Sequence, residues 1–427
     1  MNLGSLRLSD CGRHMRGLTA AVAAGLLVVS ASPASAGTPS TERVSVGLAS
    51  ADTDGDSMSA SVSADGTRAA FYSSATNLVR GDTNGFEDVF VRDVTTGQTS
   101  RISIAWNGKQ ANGTSSSPVI SANGKYVAFS SQATNLVRND TNGKWDVFVA
   151  NLSTGRISRI SKSSSGTQGN DHSYVGGISG NGMRIAFLSG ARNLVKGDTN
   201  RRRDVFVRYR GLGVTRRVSL SSTGAQANGV SFEARISADG STVAFVSQAT
   251  NLVTGDTNKV LDVFVRDLAA HKTERVTVSS DGSQSDFDKP GTSSFYQLDI
   301  SGDGTRVVFA SYATNLVPND TNWARDVFLR DRAAGNTVRV SVPYDGVEEA
   351  EDSESPVISQ DGRFVASDGT EAQQPDWPPT NLGLNFYPDI SANGETVVFC
   401  SYANNLAEGD ANHWSDVYLH RFEAATP

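Results

Sequence analysis

The chain has 427 residues, of which 19% are charged, below the roughly 25% of an average globular protein. Its 45 acidic residues outnumber its 38 Lys and Arg residues, which argues against nucleic-acid binding as the main activity. The two cysteines provide neither a disulfide framework nor the paired spacings of a zinc site.

The first 36 residues have the order of a secretory signal peptide. Three arginines precede an apolar stretch at 18–29, and Ala34-Ser35-Ala36 supplies a cleavage site of small residues. The apolar run has 12 residues, too few to span a bilayer, which takes about 20. We therefore expect cleavage after Ala36, a secreted mature chain over 37–427 and no membrane span. Whether translation starts at Met1 or Met15 stays open.

The mature chain is built from one repeat, and we expect it to form a single domain. Each copy contains a Ser-x-Asp/Asn-Gly box between two apolar runs, which is the strongest short hairpin signal in a sequence. A copy predicts four short strands, a to d, with hairpins between a and b and between c and d, and a long loop between b and c. The boxes begin at Ser63, Ser121, Ser179, Ser237, Ser301, Ser359 and Ser391.

The apolar patterns of these strands indicate an all-β propeller. Strands b and c are continuous apolar runs, such as 243–246 and 263–265, which predicts that both faces of each sheet are covered. Strand d alternates, as in 217–220, which suits an outer edge with one wet face. Four-stranded units stacked around an axis make propeller blades. A solenoid, the alternative, would need atypical capping repeats at both ends.

The two ends of the repeat region complement each other. Segment 41–46 reads as a strand d and matches 273–278, whereas the final copy stops after its strand c. We therefore predict that 41–46 pairs with 416–421 and closes the ring, because closure removes exposed sheet edges.

One copy is incomplete. The unit at Ser359 has strand a and the start of strand b, but it lacks the long loop and strand c. Pro375, Pro378 and Pro379 fill part of the gap, and proline opposes a central strand. We predict six full blades and one vestigial blade at about 353–385. The alternative is six blades with 347–385 looping out.

Three motifs of the repeat resemble those of the TolB-type propeller family, whose repeats are similar to WD repeats. They are the Ser-x-Asp-Gly box, the Val-Ala-Phe-x-Ser sequence of strand b, and the Asp-Val-Phe-Val-Arg-Asp sequence of strand c. The resemblance covers about 40–421, and we expect no counterpart of the separate TolB N-terminal domain. It implies a secreted or periplasmic propeller that acts as a binding platform.

No strong enzyme motif accompanies the repeat. A Gly-x-Ser-x-Gly elbow is absent from the sequence, and the histidines at 172, 271, 413 and 420 fall in different structural places. We predict a monomeric, non-enzymatic binding or scaffolding module for an extracellular protein or glycan, without catalytic or cofactor-binding residues. The alternative is a secreted carbohydrate-active enzyme, either a metal-dependent polysaccharide lyase or a glycoside hydrolase. Such an enzyme needs acid/base groups from several blades in one pocket.

The loop between strands b and c carries aromatic and basic residues. Trp145, Trp323 and Trp414 all fall in it; if exposed they would stack on sugars, and otherwise they cover the ends of the blade cores. The run 201–203 is Arg-Arg-Arg, which indicates either a solvated loop tip or a contact with phosphate or an acidic polymer.

The most faithfully recurring motif is Asp-x-Asn-x-x-x-Asp, just before strand c. Its two carboxylates and amide oxygen are ligands that calcium prefers, which gives a tentative calcium prediction. The alternative is a structural turn in which Asp and Asn bond nearby backbone N–H groups. The residue at position 5 is never acidic and is basic in two copies, which favours the turn. The motif occurs as Asp82/Asn84/Asp88, Asp140/Asn142/Asp146, Asp198/Asn200/Asp204, Asp256/Asn258/Asp262, Asp320/Asn322/Asp326 and Asp410/Asn412/Asp416.

Overall fold

The structure, a computed structural model, describes residues 40–286, 297–341, 352–369, 385–407 and 410–422. The signal-peptide prediction for 1–36 therefore lies outside the described residues. Secondary structure in the described part is almost entirely β-strand, with one short 3-10 turn at Leu48–Ser50. None of the described residues forms a helix long and apolar enough to cross a membrane.

The strands follow the order that the repeat predicts, with strands a to d consecutive in the chain in blades 1 to 5. Strand β1 and blades 1 and 2 comprise β1 (Ser40–Arg43), β2 (Ser57–Val62), β3 (Arg68–Ser73), β4 (Asp88–Asp93), β5 (Gln98–Arg101), β6 (Ser115–Ile120), β7 (Tyr126–Ser131), β8 (Asp146–Asn151) and β9 (Ile157–Arg159). Blades 3 and 4 comprise β10 (Ser173–Ile178), β11 (Arg184–Ser189), β12 (Asp204–Tyr209), β13 (Val214–Arg217), β14 (Ser231–Ile236), β15 (Thr242–Ser247), β16 (Asp262–Asp267) and β17 (Thr273–Arg275). The remaining strands are β18 (Leu298–Ile300), β19 (Arg306–Ser311), β20 (Asp326–Asp331) and β21 (Asn336–Arg339) in blade 5, β22 (Ser353–Ile358) and β23 (Val365–Gly369) in a two-stranded sector, and β24 (Asn385–Ile390), β25 (Thr396–Ser401) and β26 (Asp416–Arg421) in the closing blade.

These strands form six four-stranded antiparallel sheets and one two-stranded sheet, which confirms the prediction of six full blades and one vestigial blade. The innermost strands of all seven sheets line one central channel of about 510 Å³. The two-stranded sector is thus part of the ring at its inner edge and does not loop out.

A circuit of backbone hydrogen bonds joins the hairpins between strands a and b of neighbouring sheets. Each bond runs from a turn residue of one sheet to a turn carbonyl of the next, and the circuit passes through the two-stranded sector and returns to its start. The bonds, N to O, are Ala64–Ala122 (3.0 Å), Asn123–Gly180 (3.0 Å), Gly180–Ala238 (2.7 Å), Asp239–Gly302 (2.9 Å), Gly302–Gln360 (2.8 Å), Asp361–Ala392 (3.4 Å) and Ala392–Ala64 (3.1 Å).

The core lies between neighbouring sheets, as the continuous apolar runs predict. In each full blade, two aromatic rings on strands b and c lie opposite each other in register and interact within the sheet, as Phe71 and Phe90 do with centroids 5.8 Å apart. The residue at the corresponding strand b position of the two-stranded sector is Ser367. The other five pairs are Phe129–Phe148, Phe187–Phe206, Phe245–Phe264, Phe309–Phe328 and Phe399–Tyr418.

Strand β1 closes the ring by pairing antiparallel with β26, which confirms the predicted closure. The strand itself spans Ser40–Arg43, and the contact continues where the Val44 N–H donates to the Val417 carbonyl at 2.7 Å. The Ser45 hydroxyl then donates to Asp416 at 2.5 Å. About 370 residues of sequence separate the two strands that complete this blade.

Cys400 lies on β25 and is a fully buried free thiol, as its apolar surroundings in the sequence predict. Burial raises the pKa of its thiol to about 12, so the reactive thiolate is suppressed at neutral pH.

Candidate functional site

The ring has two chemically different faces. The hairpins between strands a and b and between c and d lie on one face, here called the hairpin face. The loops between b and c, and the connections from strand d to the next strand a, lie on the opposite face, here called the loop face. All six Asp-x-Asn-x-x-x-Asp motifs lie on the loop face, because each immediately precedes a strand c.

In blade 1 the motif folds around an arginine that the sequence analysis did not single out. The Arg101 guanidinium, from the end of β5, lies 2.7 Å from Asp82 and 3.1 Å from Asp88. The Asn84 amide nitrogen donates to Asp88 at 2.8 Å, while its amide oxygen accepts the backbone N–H two residues on. The Ser103 hydroxyl donates to Asp88 at 2.5 Å. We call this arrangement the arginine node.

The same node recurs in every full blade. Asn142, Asn200, Asn322 and Asn412 donate to the second aspartate as Asn84 does, and Asn258 donates to the Ser285 carbonyl. The ion pairs are Arg159 with Asp140 (3.1 Å) and Asp146 (3.6 Å), Arg217 with Asp198 (3.3 Å) and Asp204 (3.1 Å), Arg275 with Asp256 (3.4 Å) and Asp262 (3.4 Å), Arg339 with Asp320 (3.5 Å) and Asp326 (3.3 Å), and Arg43 with Asp410 (3.4 Å) and Asp416 (3.6 Å).

A sequence signal for the missed arginine exists. In five copies the arginine follows the first aspartate by 19 residues, as Arg101 follows Asp82, and an Ile or Val and then a Ser or Thr come next. In the closing blade Arg43 is the arginine of the node. It lies near the start of the chain and not 19 residues after Asp410, and the pairing of β1 with β26 brings it to the two aspartates. Asp52 there pairs with Arg43 at 2.7 Å, in the position where Gln110 bonds Arg101 at 2.9 Å.

The nodes are buried and carry two carboxylates for one guanidinium. Burial raises the pKa of Asp140 to about 6, against the opposing effect of Arg159. Burial also raises the pKa values of other node carboxylates, which pairing with the guanidinium and hydrogen bonds lower only in part. These are Asp82, Asp146, Asp198, Asp256, Asp262 and Asp416.

The donor set of the node does not suit calcium. The guanidinium occupies the space between the two carboxylates, and the asparagine uses its amide oxygen on a backbone N–H. Within the described ranges, no group of three or more Asp, Glu, His or Cys side chains is arranged to hold a metal ion. These contacts favour the structural turn, and the calcium hypothesis is left to the metal experiment described below.

Exposed apolar side chains concentrate on the loop face. Among the described residues, eight large apolar side chains are exposed, of which Leu212 lies on the hairpin face and Tyr387 in the channel. Trp145, by contrast, is half-buried, with its ring 6.0 Å from that of Tyr174. The six on the loop face are Leu48, Phe86, Trp106, Trp323, Tyr402 and Trp414.

A basic cleft of about 770 Å³ also opens on the loop face, at blade 3. Arg192, Arg201, Arg202 and Arg203 line it together with the aromatic side chains of His172 and Tyr174. The sequence singled out the triple arginine, whereas Arg192 is a single departure within a repeated segment and Tyr174 belongs to no motif.

The central channel brings together charged groups from three blades. The Glu233 carboxylate pairs with Arg235 at 2.9 Å, and Asp299 and Asp389 each accept a backbone N–H of a neighbouring inner strand. Burial raises the pKa of Asp299 to about 7, with Arg235 opposing. Sequence reasoning missed these four residues. Arg235, Asp299 and Asp389 share one repeat position, two residues before the serine of the box, and the changing residue type there gives no recurring motif.

Comparisons with known proteins found similarity to solved structures alone. No family model matches the chain, and no curated protein matches it. Similar solved structures include TolB from Acinetobacter baumannii (TM-score 0.39, 18% identity, 75% of this chain and 56% of that chain) and putative TolB from Agrobacterium tumefaciens (0.43, 17%, 75% and 92%). Another is the propeller domain of the Trilobed protease from Pyrococcus furiosus (0.49, 11%, 87% and 97%). The chain is thus similar to TolB-like propellers, and it spans about half the length of the first of these.

Proposed function

We propose that the protein is a secreted, non-enzymatic binding module whose loop face carries the contact surface. The observation that carries this proposal is the placement of six of the eight exposed large apolar side chains on that face. Aromatic residues and arginine are enriched in protein contact surfaces, and aromatic rings also stack on sugars. The ligand is an extracellular glycan or protein.

The arginine nodes support this role by fixing the loops that present those side chains. In each node the asparagine and both aspartates are occupied by internal contacts, so the loop backbone is held from within. The side chain at position 5 of the motif is then free to differ between blades. It is Phe86 in blade 1, Arg202 in blade 3 and Trp414 in the closing blade. The node residues are constant and the exposed residue at position 5 varies, as is typical of binding loops on a rigid scaffold.

The test is a binding screen of the mature chain against a glycan array and purified extracellular proteins of the source. The Trp323→Ala/Trp414→Ala variant removes two exposed rings of the loop face, which are 67% and 46% exposed. The matched control is Leu212→Ala, which removes a 73% exposed side chain of the hairpin face. We expect the double variant to lose the ligand and the control to keep it. A ligand that both variants retain would remove the loop face from the proposal.

A second function, a secreted carbohydrate-active enzyme, is favoured by one observation. Glu233, Asp299 and Asp389 converge with Arg235 in the channel, and a raised pKa is what a general acid needs near neutral pH. The check is a polysaccharide turnover screen with wild type and Asp299→Asn. Turnover that this variant abolishes would replace the binding-module proposal.

Secretion is part of the same proposal and is supported by the signal-peptide pattern of 1–36. Expression of all 427 residues in a bacterial host should release a protein whose N-terminal sequencing starts at Gly37. Retention of the intact chain inside the cell would contradict it.

A further inference from the structure

We propose that the basic cleft of blade 3 binds an anionic oligosaccharide, one that carries carboxylate or sulfate groups. The inference rests on the proposed binding function and names the ligand class for one part of the loop face. Its residues are Arg192, Arg201 and Arg202, which contact the anionic groups, and Tyr174 and His172, which contact the sugar rings.

Blade 3 departs from the repeat where the cleft lies. Arg192 stands where blades 1, 2, 4 and 5 have a threonine whose hydroxyl is hydrogen-bonded within the blade, as that of Thr134 accepts from Asn112 at 2.9 Å. In blade 3 the side-chain hydrogen bond is absent and the backbone hydrogen bond remains, in which the Arg192 N–H donates to the Asn170 side chain at 3.0 Å. The arginine side chain is therefore an addition that the frame does not use.

The space for the cleft also comes from a residue that differs from the repeat, Gly190. Gly190 stands where blades 2 and 4 have Gln132 and Gln248. A Cβ added at Gly190 would meet the Asp171 carboxylate at 2.9 Å, so a larger residue would fill the cleft. The absence of a side chain at this position keeps the cleft open.

Arg201 occupies a position that favours glycine. Its φ is 58°, in the left-handed region, and blades 1 and 2 have Gly85 and Gly143 at the same place in the loop. Lys259 and Trp323 have the same conformation at the matching positions of blades 4 and 5, with φ of 61° and 57°. This backbone is therefore part of the common loop frame, and what blade 3 adds is the arginine side chain.

The local charge is strongly positive although the chain as a whole is acidic. Asp171 is the one carboxylate among the residues that line the cleft. It accepts the backbone N–H of His172 at 2.8 Å and lies 3.9 Å from the Lys144 ammonium. Arg203 is committed to the frame through the Ser231 carbonyl at 3.0 Å. In the part of the chain that the structure describes, no carboxylate lies within 4.0 Å of the guanidinium groups of Arg192, Arg201 or Arg202.

One wall of the cleft is aromatic. The Tyr174 ring contacts the Trp145 ring, with centroids 6.0 Å apart, and the His172 ring, with centroids 6.4 Å apart and nearly parallel planes. His172 accepts the Trp145 backbone N–H on Nδ1 at 3.1 Å, so the neutral ring carries its proton on Nε2. These contacts fix the ring orientations before a ligand arrives.

Arginine forks and an aromatic wall together select the ligand class. A guanidinium matches the two oxygens of a carboxylate or sulfate in a bidentate contact, and an aromatic face stacks on the C–H surface of a sugar. The cleft, at about 770 Å³, is within the range of ligand pockets. An oligosaccharide with an acidic group on successive rings satisfies both sets of contacts.

The experiment titrates the mature chain with oligogalacturonate, a heparin-derived oligosaccharide and neutral dextran. The first two probes separate carboxylate from sulfate recognition, and dextran tests for stacking alone. We expect one or both anionic probes to bind, and dextran not to. Affinity should fall steeply between low salt and about 0.5 M salt, where charges are screened within a few ångströms.

Three variants locate the binding. Arg201→Gln/Arg202→Gln should weaken the anionic probe by about tenfold or more, as expected for lost hydrogen bonds to a charged group. The matched control, Lys109→Gln/Lys259→Gln, removes two exposed cations of the same face outside the cleft and should bind as wild type. Tyr174→Leu should weaken the oligosaccharide and leave inorganic sulfate binding unchanged. Melting temperatures should stay level in the arginine variant, because Arg201 and Arg202 are exposed.

Several results would overturn the inference: wild-type affinity in the arginine variant, an equal loss in the lysine control, or equal binding of dextran. Failure of both anionic probes would overturn it as well. In that case a ligand lost in Trp323→Ala/Trp414→Ala would still support the binding module, so the two proposals fail separately.

Discussion

Blade 4 and the two-stranded sector solve the same packing problem with different means. In blade 4, Phe245 and Phe264 are fully buried and lie 5.8 Å apart between strands b and c. At the strand b position that matches Phe245 the sector has Ser367, followed by the half-buried Asp368. Desolvation raises the pKa of Asp368 to about 6. The sector thus lacks the aromatic pair and the arginine node, yet the hydrogen-bond circuit at the hairpins passes through it. The hydrogen-bond circuit therefore needs only the hairpins between strands a and b, whereas the aromatic core comes from strands b and c of the complete blades.

The two described strands of the sector cover the neighbouring sheets less completely than a full blade does. Leu406 in the closing blade is half-buried, whereas Leu252, the same position in blade 4, is 1% exposed. Leu329 at the end of blade 5 is likewise half-buried, whereas Val265 is fully buried. Apolar surface that complete blades bury on both sides is only partly covered beside the sector.

The largest expected effect comes from making a complete blade incomplete. Deleting 40–46 from the mature chain removes β1 and leaves Asp410 and Asp416 without Arg43. Losing one partner of a buried ion pair alone costs about 3–5 kcal/mol, so we expect unfolding free energy to drop by about 5 kcal/mol or more. Urea unfolding measures the loss, and light scattering should detect aggregation through the exposed edge of β26.

A peptide supplied in trans sharpens this test. A synthetic 37–47 peptide should restore part of the lost stability, whereas the same peptide with Val44→Asp should not, because Val44 is 1% exposed in the closed ring. Unchanged melting of the deletion variant would show that the ring holds without its closing strand, as it does with the incomplete sector.

A second comparison sets one core ring against one sector ring. Phe245→Ala should cost about 3–5 kcal/mol, the usual range for a fully buried Phe. Phe364→Ala, in the sector, should cost about 1 kcal/mol, because Phe364 is half-buried and packs at the edge of a smaller cluster. Urea unfolding of both variants gives the ratio. Equal costs would mean that the sector carries as much of the stability as a complete blade.

Most of the fold was predictable because the repeat states the same strand pattern many times. The Ser-x-Asp-Gly boxes fix the hairpins, and the match of 41–46 to 273–278 fixes the closure, which pairs residues such as Thr41 and His420. The incomplete copy was recognisable because what it lacks is present in the other six.

The site was less predictable for a physical reason. A repeated motif identifies residues with the same structural role in every blade. Asp82 and its equivalents were therefore easy to find, but they make hydrogen bonds and ion pairs within the blade. Arg101 stayed hidden because its partners are set by strand pairing across the blade. The basic cleft depends on Gly190 and Arg192, single departures from the repeat that gain meaning when the fold places them beside Arg201.

The complete blades carry arginine nodes, and the described strands of the sector do not. The pH dependence of stability that a node carboxylate causes is therefore a third test of the difference between complete blades and the sector. Burial raises the pKa of Asp140 from its ordinary 3.8 to about 6, and its side chain is 3% exposed. The folded state therefore holds this proton more tightly than the unfolded state. Protonated Asp140 therefore favours the folded state below about pH 4. As the pH rises from 4 to about 6, this contribution is lost and the free energy of unfolding falls by about 3 kcal/mol at most.

The Asp140→Asn variant keeps the shape without the charge and should remove that slope. Relative to wild type, its unfolding free energy should rise between pH 4 and pH 6 and stay level above. The control is Asp281→Asn, because hydrogen bonds from Ser279 and from the backbone N–H of Ser283 lower the pKa of Asp281 to about 2. Relative to wild type, the unfolding free energy of this control should fall between about pH 2 and pH 4 and stay level between pH 4 and pH 6. A flat Asp140→Asn profile would mean that Arg159 neutralises the whole node.

The smallest expected effect concerns calcium at the nodes of the complete blades. Calcium that bound the folded state alone would raise stability by mass action, and six sites would add their effects. Each node, however, already holds a guanidinium between its two carboxylates, as Arg217 lies 3.3 Å from Asp198 and 3.1 Å from Asp204. We therefore expect the melting temperature in chelator to match that in millimolar calcium, within about 1 °C, a change below about 0.5 kcal/mol. The Arg217→Met variant is the sharper arm, because it vacates one node and leaves two carboxylates facing each other. Calcium should then stabilise the variant while leaving wild type unchanged. A calcium-dependent shift in wild type, with metal found in the purified protein, would restore the calcium prediction.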